Sequence, residues 1–355
     1  MISKVSGILT AAVFTASLSF SQVPSDIAAK LVDMGRNVCP ADTAALYRKF
    51  QPSPPYPGVK VTRDISYGSD PRMVMDVFTA EKGGGNRTVL VYVSGGAGNK
   101  IEPVPNGDAF YDNIMLWATK NGMVGVNVQR RTNFGPGAEW DQNAKDISTV
   151  IQWVHKNIAQ YKGNPNRVFI WSHSAGNPPV GTYLGRPDLY GAEGIGVKGA
   201  ILMSPAPFDI APVTVSVPAG GRGAGPGGQC PSGSPFAGPP RGGPGGAQAK
   251  GGPGGPGRGA GGRGRAPVDP AVQLERSTLP GLKASKIAFF LGYAELDPAN
   301  MGAFLDTLKE QLEMAGNRPT EVMFKAHSHM SEVFSPGSPD TSVSAPILKW
   351  MKSVK

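Results

Sequence analysis

Cysteine is scarce in this chain of 355 residues, which contains only Cys39 and Cys230. Two cysteines are too few for a disulfide framework, and their separation matches no zinc-binding spacing. Whether the two cysteines form one disulfide bond is left open at this point, because sequence alone gives no distance between their Cα atoms. The chain is therefore not a small disulfide scaffold, and it is long enough to bury a sizeable hydrophobic core.

Long apolar runs are also lacking, apart from a short one near residue 1. Lys4 precedes a mostly apolar stretch over 5–18, and Ser19-Phe20-Ser21 then supplies the small residues that signal peptidase recognises. The run is shorter than the roughly 20 apolar residues that span a bilayer. We therefore expect residues 1–21 to be a signal peptide, the mature protein to be secreted or periplasmic, and no integral membrane segment to remain after cleavage.

Acidic residues are absent from 213–268, a segment with 21 Gly, 10 Pro and six Lys or Arg. Such a segment buries too little apolar surface to become ordered, so we expect a disordered insert. Its charge of +6 supplies most of the net +9 of the chain. The rest of the chain is nearly neutral, which argues against nucleic acid as a partner. A solvated insert without a role is the simplest interpretation, adhesion to an acidic glycan, lipid headgroup or cell-wall polymer comes second, and RNA binding by the Arg-Gly tracts comes third.

Short apolar segments alternate with helical patterns in the remainder. Residues 59–79 contain two strand-like runs around the turn 68–71, which predicts an antiparallel edge hairpin. Further strands are predicted at 88–93, 123–128, 167–171, 199–203, 286–291 and 320–325. A helix before the strand at 167–171 carries a buried stripe of Ile147, Ile151, Val154 and Ile158. These patterns predict an α/β fold with a mostly parallel sheet flanked by helices, whose ligand sites lie at the carboxyl ends of the strands.

A serine in a tight turn follows one of these strands. The sequence WSHSAGN, residues 171–177, places Ser174 directly after the strand at 167–171. A nucleophilic serine needs a sharp strand-to-helix turn, which admits only small residues two positions before and after it. Ser172 and Gly176 occupy those positions, although the usual pattern has Gly at both. We interpret Ser174 as a candidate nucleophile.

A glycine-rich turn meets a second requirement of a serine hydrolase, which is a set of backbone amides that bind an oxyanion. Ser94-Gly95-Gly96-Ala97-Gly98, called the glycine loop below, follows the strand at 88–93. Gly95, Gly96 and Ala97 are the candidate oxyanion-hole residues of this loop. The amide of Ala175, next to the serine, is the second candidate donor.

Histidine is rare, and the chain contains only four: His155, His173, His327 and His329. In hydrolases that carry the serine on such a strand-to-helix elbow, the base follows the serine and the acid along the chain. This order removes His155 and His173. His327 and His329 both follow the last predicted strand, and His329 is preferred because His327 lies closer to the strand end.

The acid that orients the base is expected on the loop after the preceding strand. Glu295 and Asp297 stand there, just beyond the strand at 286–291. Asp297 is the preferred member and Glu295 the reserve. Asp297 also suits the N-cap of the helix predicted after it, and the two roles are compatible.

These motifs, in this order, resemble α/β-hydrolase serine esterases of the branch that includes hormone-sensitive-lipase-like and feruloyl-esterase-like enzymes. The similar stretches include VLVYVSGGAG, VGVNVQRR, the helix and elbow ending in WSHSAG, GYAELDP and HSHM. They lie within 59–210 and 284–350. Besides Ser172, the glycine loop departs from the family pattern: Ser94 and Ala97 replace the ends of its His-Gly-Gly-Gly motif, which speaks against the classical lipase-like subgroup.

The resemblance implies a domain organisation around one catalytic unit. Residues 22–58 form an N-terminal lead segment after the signal peptide. The α/β-hydrolase domain comprises 59–212 and 269–355, and the insert over 213–268 interrupts it.

The resemblance also implies the chemistry of a carboxylic ester hydrolase. Ser174 attacks the ester carbonyl, His329 takes its proton, Asp297 orients His329, and amides near Gly96 and Ala175 bind the oxyanion. No metal is expected, because His327 and His329 alone are too few ligands for zinc. No other cofactor is expected either, because the glycine loop lacks the order of a dinucleotide-binding motif.

The substrate is predicted only as a class, a small-molecule or glycan-linked ester. A serine peptidase on the same fold is one alternative. A catalytically silent module that binds a glycan or a cell surface is another, and the full set of serine, acid and histidine argues against it. Acyl and alcohol specificity and the oligomeric state are not indicated by the sequence.

Overall fold

A computed structural model describes residues 23–104, 109–132, 137–205, 230–232, 269–298 and 301–355. The expected signal peptide lies outside the described residues. The expected insert also lies outside them, apart from residues 230–232.

A single eight-stranded sheet organises the described chain. Its strands are β1 (Val59–Ser66), β2 (Val74–Ala80), β3 (Arg87–Val93), β4 (Val124–Val128), β5 (Gly163–His173), β6 (Gly199–Met203), β7 (Ala288–Leu296) and β8 (Thr320–Ser328). They are arranged in the order β1-β2-β4-β3-β5-β6-β7-β8. β1 and β2 pair antiparallel at one edge, β2 meets β4 antiparallel, and all other pairs are parallel. The predicted fold class and edge hairpin are confirmed.

Three strands extend beyond their predicted ends. β5 begins at Gly163, four residues earlier than predicted. β7 continues to Leu296, and β8 continues to Ser328. The last pairing of β7 and β8 joins Leu296 to Ser328 after a local shift of register. Pairing with a neighbouring strand can extend a strand into residues that do not alternate between apolar and polar, so the sequence pattern does not show the extension.

Ten helices flank the sheet within the described ranges. They are α1 (Ser25–Met34), α2 (Pro40–Tyr47), α3 (Asp112–Lys120), α4 (Gln142–Asn157), α5 (Asn177–Gly185), α6 (Pro270–Arg276), α7 (Leu279–Ala284), α8 (Met301–Met314), α9 (Ser331–Phe334) and α10 (Ser344–Ser353). The predicted stripe on and just after α4 is buried at all four positions. Within the part of the chain that the structure describes, no helix is both long and apolar enough to cross a membrane.

The two faces of the sheet bury separate hydrophobic clusters. On β3, Val89, Val91 and Val93 face one cluster, whereas Leu90 and Tyr92 face the other. Side chains alternate across a strand, so a strand that is apolar at successive positions is covered on both faces. Helices on both faces therefore hold the central strands in place, and with them the loops at their carboxyl ends.

The lead segment is attached to the rest of the chain by a disulfide bond and a hydrogen bond. Cys39, which precedes α2, is bonded to Cys230, and their Cα atoms lie 5.5 Å apart. Arg36 donates to the backbone carbonyl of Asp297 at 2.8 Å. The bridge that the sequence left open is therefore present, and the lead segment reaches the carboxyl end of β7.

Candidate active site

Ser174 stands on a strained turn between β5 and α5. Its φ is +52°, a left-handed value that costs a residue with a side chain about 1 to 3 kcal/mol. A Cβ atom on Gly176 would lie 2.5 Å from the carbonyl oxygen of Val93 and 2.7 Å from that of Ser94, so this position requires glycine. The turn therefore has the geometry of a nucleophile elbow, in which the serine is raised above the strand end.

Ser172 replaces the first glycine of the usual elbow pattern without leaving a polar group unpaired. Its side chain is fully buried, and its hydroxyl donates to Oδ1 of Asn177 at 2.8 Å. Asn177 in turn donates to the carbonyl oxygens of Ser174 at 3.0 Å and Met203 at 2.8 Å. Ser172 thus begins a hydrogen-bond chain that fixes the start of α5 beneath Ser174.

The glycine loop lies directly against the elbow. A Cβ atom on Gly95 would lie 2.7 Å from Cβ and 3.2 Å from Oγ of Ser174. Gly96 has a φ of +51°, and the amides of Gly96, Ala97 and Ala175 donate to no described residue. Buried or half-buried amides normally have partners, so free ones beside a serine are suited to binding an oxyanion. Of the four predicted oxyanion-hole residues, Gly95 packs against Ser174, Ala175 follows Ser174 directly in the chain, and Gly96 and Ala97 continue the glycine loop.

Two arginines that the sequence did not single out brace the glycine loop. Arg130, after β4, is almost fully buried and donates to the carbonyl oxygen of Ala175 at 2.9 Å and, more weakly, to that of Ser94 at 3.4 Å. Arg72 donates to the carbonyl oxygen of Ala97 at 2.9 Å. Burial lowers the pKa of Arg130 to about 10, so its guanidinium stays charged at neutral pH. One cation therefore ties the glycine loop to the elbow.

The end of the loop is anchored on the edge hairpin. Lys100 is nearly buried, and its ammonium donates to Asp64 at 2.6 Å and to Asp76. Asn127 on β4 donates to the carbonyl oxygen of Lys100 at 2.6 Å. A buried charge is tolerated only with such partners, so this network fixes where the loop returns to the sheet.

His329 and Asp297 meet at the carboxyl ends of β8 and β7. His329 Nδ1 donates to Asp297 Oδ1 at 2.9 Å, and both side chains are buried. The other carboxyl oxygen, Oδ2, accepts from the backbone amide of Ala294 at 2.9 Å and from the Ser204 hydroxyl. Among the described residues, Asp297 thus has three donors, and one of them is the ring of His329.

His329 also lies next to the elbow. The rings of His329 and His173 have centroids 4.5 Å apart, and His173 immediately precedes Ser174. Because Nδ1 of His329 is used by Asp297, Nε2 is the nitrogen left for the serine. No hydrogen bond joins it to the Ser174 hydroxyl in the described geometry. Such bonds are often long in proteins without substrate, and they tighten in the reacting complex.

The two reserve residues have other partners. His327 Nδ1 lies 2.9 Å from the Ser331 hydroxyl and its Nε2 lies 2.6 Å from that of Ser342. Burial lowers the pKa of His327 to about 4, so it is a neutral structural residue at pH 7. Glu295 accepts from the backbone amide of Ala326 at 2.7 Å. No described hydrogen bond joins either residue to Ser174, and the geometry favours His329 and Asp297.

Two further acids lie close to His329. Glu332 is fully buried three residues after it. Glu102 follows the glycine loop, and its carboxyl group accepts from the Tyr111 hydroxyl at 2.5 Å. Burial raises the pKa of Glu102, while the Tyr111 hydrogen bond and the nearby His329 oppose this shift. No sequence pattern indicates either acid, because their positions follow from contacts between distant segments.

One group of side chains has the composition of a metal site. Ring nitrogens of His173 and His329 and a carboxyl oxygen of Glu332 lie within 4.8 Å of one another. Two imidazoles and a carboxylate form a donor set that zinc accepts. However, His329 already bonds Asp297, and His173 Nε2 donates to the His329 carbonyl at 3.0 Å. One nitrogen of each ring, Nε2 of His173 and Nδ1 of His329, therefore has a protein partner, and these contacts make the group a hydrogen-bonded cluster.

The sheet order, the elbow after β5 and the acid and histidine after β7 and β8 define the α/β-hydrolase fold. Solved esterases share it. One is a thermostable esterase from Pseudomonas putida, with a TM-score of 0.58, 14% identity, and coverage of 94% of this chain and 98% of that chain.

The sequence comparisons point to the same group of proteins. Residues 75–178 match the family model described as BD-FAE. Cocaine esterase from Homo sapiens is 32% identical over 127 residues, which are 34% of this chain and 21% of that protein. A probable isoprenylcysteine alpha-carbonyl methylesterase from Arabidopsis thaliana is 29% identical over 125 residues, 33% of this chain and 23% of that protein. These matches cover less than a quarter of each relative, and the family-model match over 75–178 includes the glycine loop and the elbow.

Proposed function

We propose that the protein is a serine esterase that cleaves carboxylic esters through an acyl-enzyme intermediate. The observation that carries the proposal is that three groups meet at the carboxyl ends of the parallel strands. Ser174 lies on a strained elbow, the hydrogen-bonded pair of His329 and Asp297 lies beside it, and the glycine loop, whose Gly96 and Ala97 amides have no described acceptor, packs against it. The similarity to proteins named as esterases supports the same class of reaction.

The proposed reaction uses each group in turn. As the Ser174 oxygen forms a bond to the ester carbonyl carbon, its proton passes to Nε2 of His329. Asp297 holds the ring and stabilises the imidazolium, while the amides of Gly96 and Ala175 bind the oxyanion. The carbon–oxygen bond to the alcohol then breaks, and the imidazolium gives its proton to the departing oxygen. Water repeats the sequence on the acyl-serine and releases the carboxylic acid.

The proposed substrate is a small-molecule or glycan-linked ester. The name of a relative supports only the reaction class, because less than a quarter of each relative is matched. Loops after the strands shape the acyl and alcohol pockets in such folds. Part of the chain after β6 lies outside the described residues, so the proposal names a bond type and leaves the acyl chain to experiment.

We also propose that the protein is exported. The disulfide bond supports this, since such bonds persist in oxidising compartments. Fractionation of producing cells followed by N-terminal sequencing tests the proposal. A mature protein that begins near Gln22 is expected, and a cytosolic protein that retains Met1 would contradict export.

The catalytic proposal is tested with a series of p-nitrophenyl esters of increasing acyl length. The wild type, Ser174→Ala and a control, Ser353→Ala in the exposed end of α10, are compared for turnover and for labelling by a fluorophosphonate. Turnover and label that are both lost only in Ser174→Ala support the esterase. Label at Ser174 without turnover of any ester would point to a peptidase. A folded wild type with neither would favour a binding module.

A further inference from the structure

Glu332 lies directly behind the proposed base. It belongs to α9, its side chain is fully buried, and neither carboxyl oxygen has a hydrogen-bond partner of good geometry among the described residues. Its Oε1 lies 3.1 Å from Nε2 of His173. A carboxyl oxygen of Glu332 is within 4.8 Å of ring nitrogens of both His173 and His329. These three residues are called the histidine–glutamate cluster below.

The groups that face Glu332 disfavour a negative charge on it. Burial raises the pKa of Glu332 well above its ordinary value, and the nearby Asp297 after β7 adds to the shift. Tyr92 on β3 faces it with an uncharged phenol that is itself buried and unpartnered. The Ser204 hydroxyl after β6 opposes the shift, but it donates its proton to Asp297.

His173 does not supply a balancing positive charge. Burial lowers the pKa of His173 well below its ordinary value, and the neighbouring His329 acts in the same direction. Its Nε2 carries the proton, because that nitrogen donates to the His329 carbonyl oxygen at 3.0 Å. A neutral imidazole next to a buried carboxyl group leaves that group without a cation among the described residues.

We propose that Glu332 is a positioning residue for His329 and that it fills this role as a neutral carboxylic acid. With His173, it packs the segment that carries His329 against the elbow. An isolated buried carboxylate is unfavourable, and a carboxylic acid in the same place needs no counter-ion. Two carboxyl groups thus flank one imidazole with different roles, Asp297 as the anion and Glu332 as the acid.

Neutrality at Glu332 has a consequence for the proposed reaction. A second carboxylate within 4.8 Å of the His329 ring would favour the imidazolium, which cannot take a proton from Ser174. A neutral Glu332 keeps the ring available as a base. This consequence depends on the proposed function of Ser174, His329 and Asp297, whereas the protonation of Glu332 does not.

Infrared spectroscopy tests the protonation directly and needs no turnover. The wild type and Glu332→Gln are compared at pH 7, with Glu313→Gln in the exposed part of α8 as the matched control. A carboxylic-acid carbonyl band is expected in the wild type and in the control, with one such band lost in Glu332→Gln. Spectra of wild type and Glu332→Gln that share the same acid bands would overturn the proposal.

Kinetics test the positioning role. Glu332→Gln keeps the size and neutrality of the acid, so kcat/KM is expected within about threefold of the wild type, with the acid limb of its pH profile unmoved. Glu332→Ala is expected to lower kcat by about 10- to 100-fold with a smaller change in KM, the range found for residues that orient metal-binding imidazoles.

Two results would overturn the proposal. The first is an acid limb in Glu332→Gln that moves down by about one pH unit or more, because that shift reports the loss of a negative charge. The second is a Glu332→Gln protein that does not fold, since a neutral isostere should be tolerated. Fluorophosphonate labelling of wild-type Ser174 separates either outcome from a failure of the esterase proposal.

Discussion

Replacing Gly95 by alanine tests whether the glycine loop and Ser174 form one catalytic unit. Gly95 does not have a left-handed φ, so alanine is compatible with its backbone. The new Cβ atom would lie 2.7 Å from Cβ of Ser174 and 3.2 Å from the carbonyl oxygen of His173. Any effect of the substitution therefore comes from the contact of the new Cβ atom with the elbow at Ser174, and not from backbone strain at Gly95.

The size of the effect follows from these distances. Carbon atoms in contact prefer about 3.5 to 4.0 Å, so the loop and the elbow must separate by about 1 Å. A displacement of that size costs about 100-fold in rate, and the loss of one oxyanion donor costs about 100- to 1,000-fold. We therefore expect kcat/KM of Gly95→Ala to fall by about 100- to 1,000-fold, or about 2.7 to 4 kcal/mol of transition-state stabilisation.

Hydrolysis of p-nitrophenyl acetate measures this effect, with thermal unfolding in parallel. Gly84→Ala is the matched control, because a Cβ atom there meets nothing within 4 Å and the glycine is exposed between β2 and β3. The control should keep the activity of the wild type. A Gly95→Ala protein within about threefold of the wild type would refute the assignment of the loop to the oxyanion hole, because it leaves less than 1 kcal/mol for the predicted effect.

Three further substitutions probe the surroundings of the site. Serine at both Cys39 and Cys230 should lower the free energy of unfolding in urea by up to about 5 kcal/mol, because the bridge closes a loop of 191 residues, and an unchanged midpoint would contradict this. Ser204→Ala removes a hydrogen bond to Asp297 and should lower kcat about tenfold, a result that unchanged kinetics would exclude. His327 has a pKa of about 4, below its unfolded value, so it destabilises the fold as pH falls from about 6.5 towards 4. The free energy of unfolding, measured in urea at each pH, should therefore fall by up to about 3 kcal/mol less in His327→Gln than in the wild type. An equal fall in the variant and the wild type would contradict the assignment.

The parts of the site that carry a local signal were predictable from the sequence. Ser174 and the glycine loop follow apolar strands and contain the small residues that their turns require. The strands, the edge hairpin and the buried stripe of α4 show their periodicity within a few residues. His329 and Asp297 could be singled out because few residues of their kind follow the last strands.

The supporting residues could not be predicted, because their partners are distant in sequence. Ser204 and Asp297 are 93 residues apart, and His173 and His329 are 156 apart. The periodicity of apolar residues indicates on which face of a helix or strand a residue lies, but it does not indicate which distant residue it contacts on that face. His173 illustrates this limit, since the chain order removed it as a base while the fold places it against His329.

Arg130 is an intermediate case. It stands in the stretch VGVNVQRR, which contributed to the family resemblance, but an arginine after a buried strand usually reaches solvent. Its burial follows from the carbonyl oxygens of Ser94 and Ala175, whose positions exist only once two loops have met. A role in the site could therefore be assigned only from the structure.

The disulfide bond gives the chain a covalent topology that divides the proposed triad. The ring closed by Cys39 and Cys230 contains Ser174, whereas Asp297 and His329 lie outside it. A peptide bond cut inside the ring, for instance after Arg222, leaves one covalent molecule. A cut after Arg241 yields two polypeptides, one with the nucleophile and the other with the acid and the base, held together by noncovalent contacts such as the pairing of β6 with β7 and the hydrogen bond from Arg36 to Asp297.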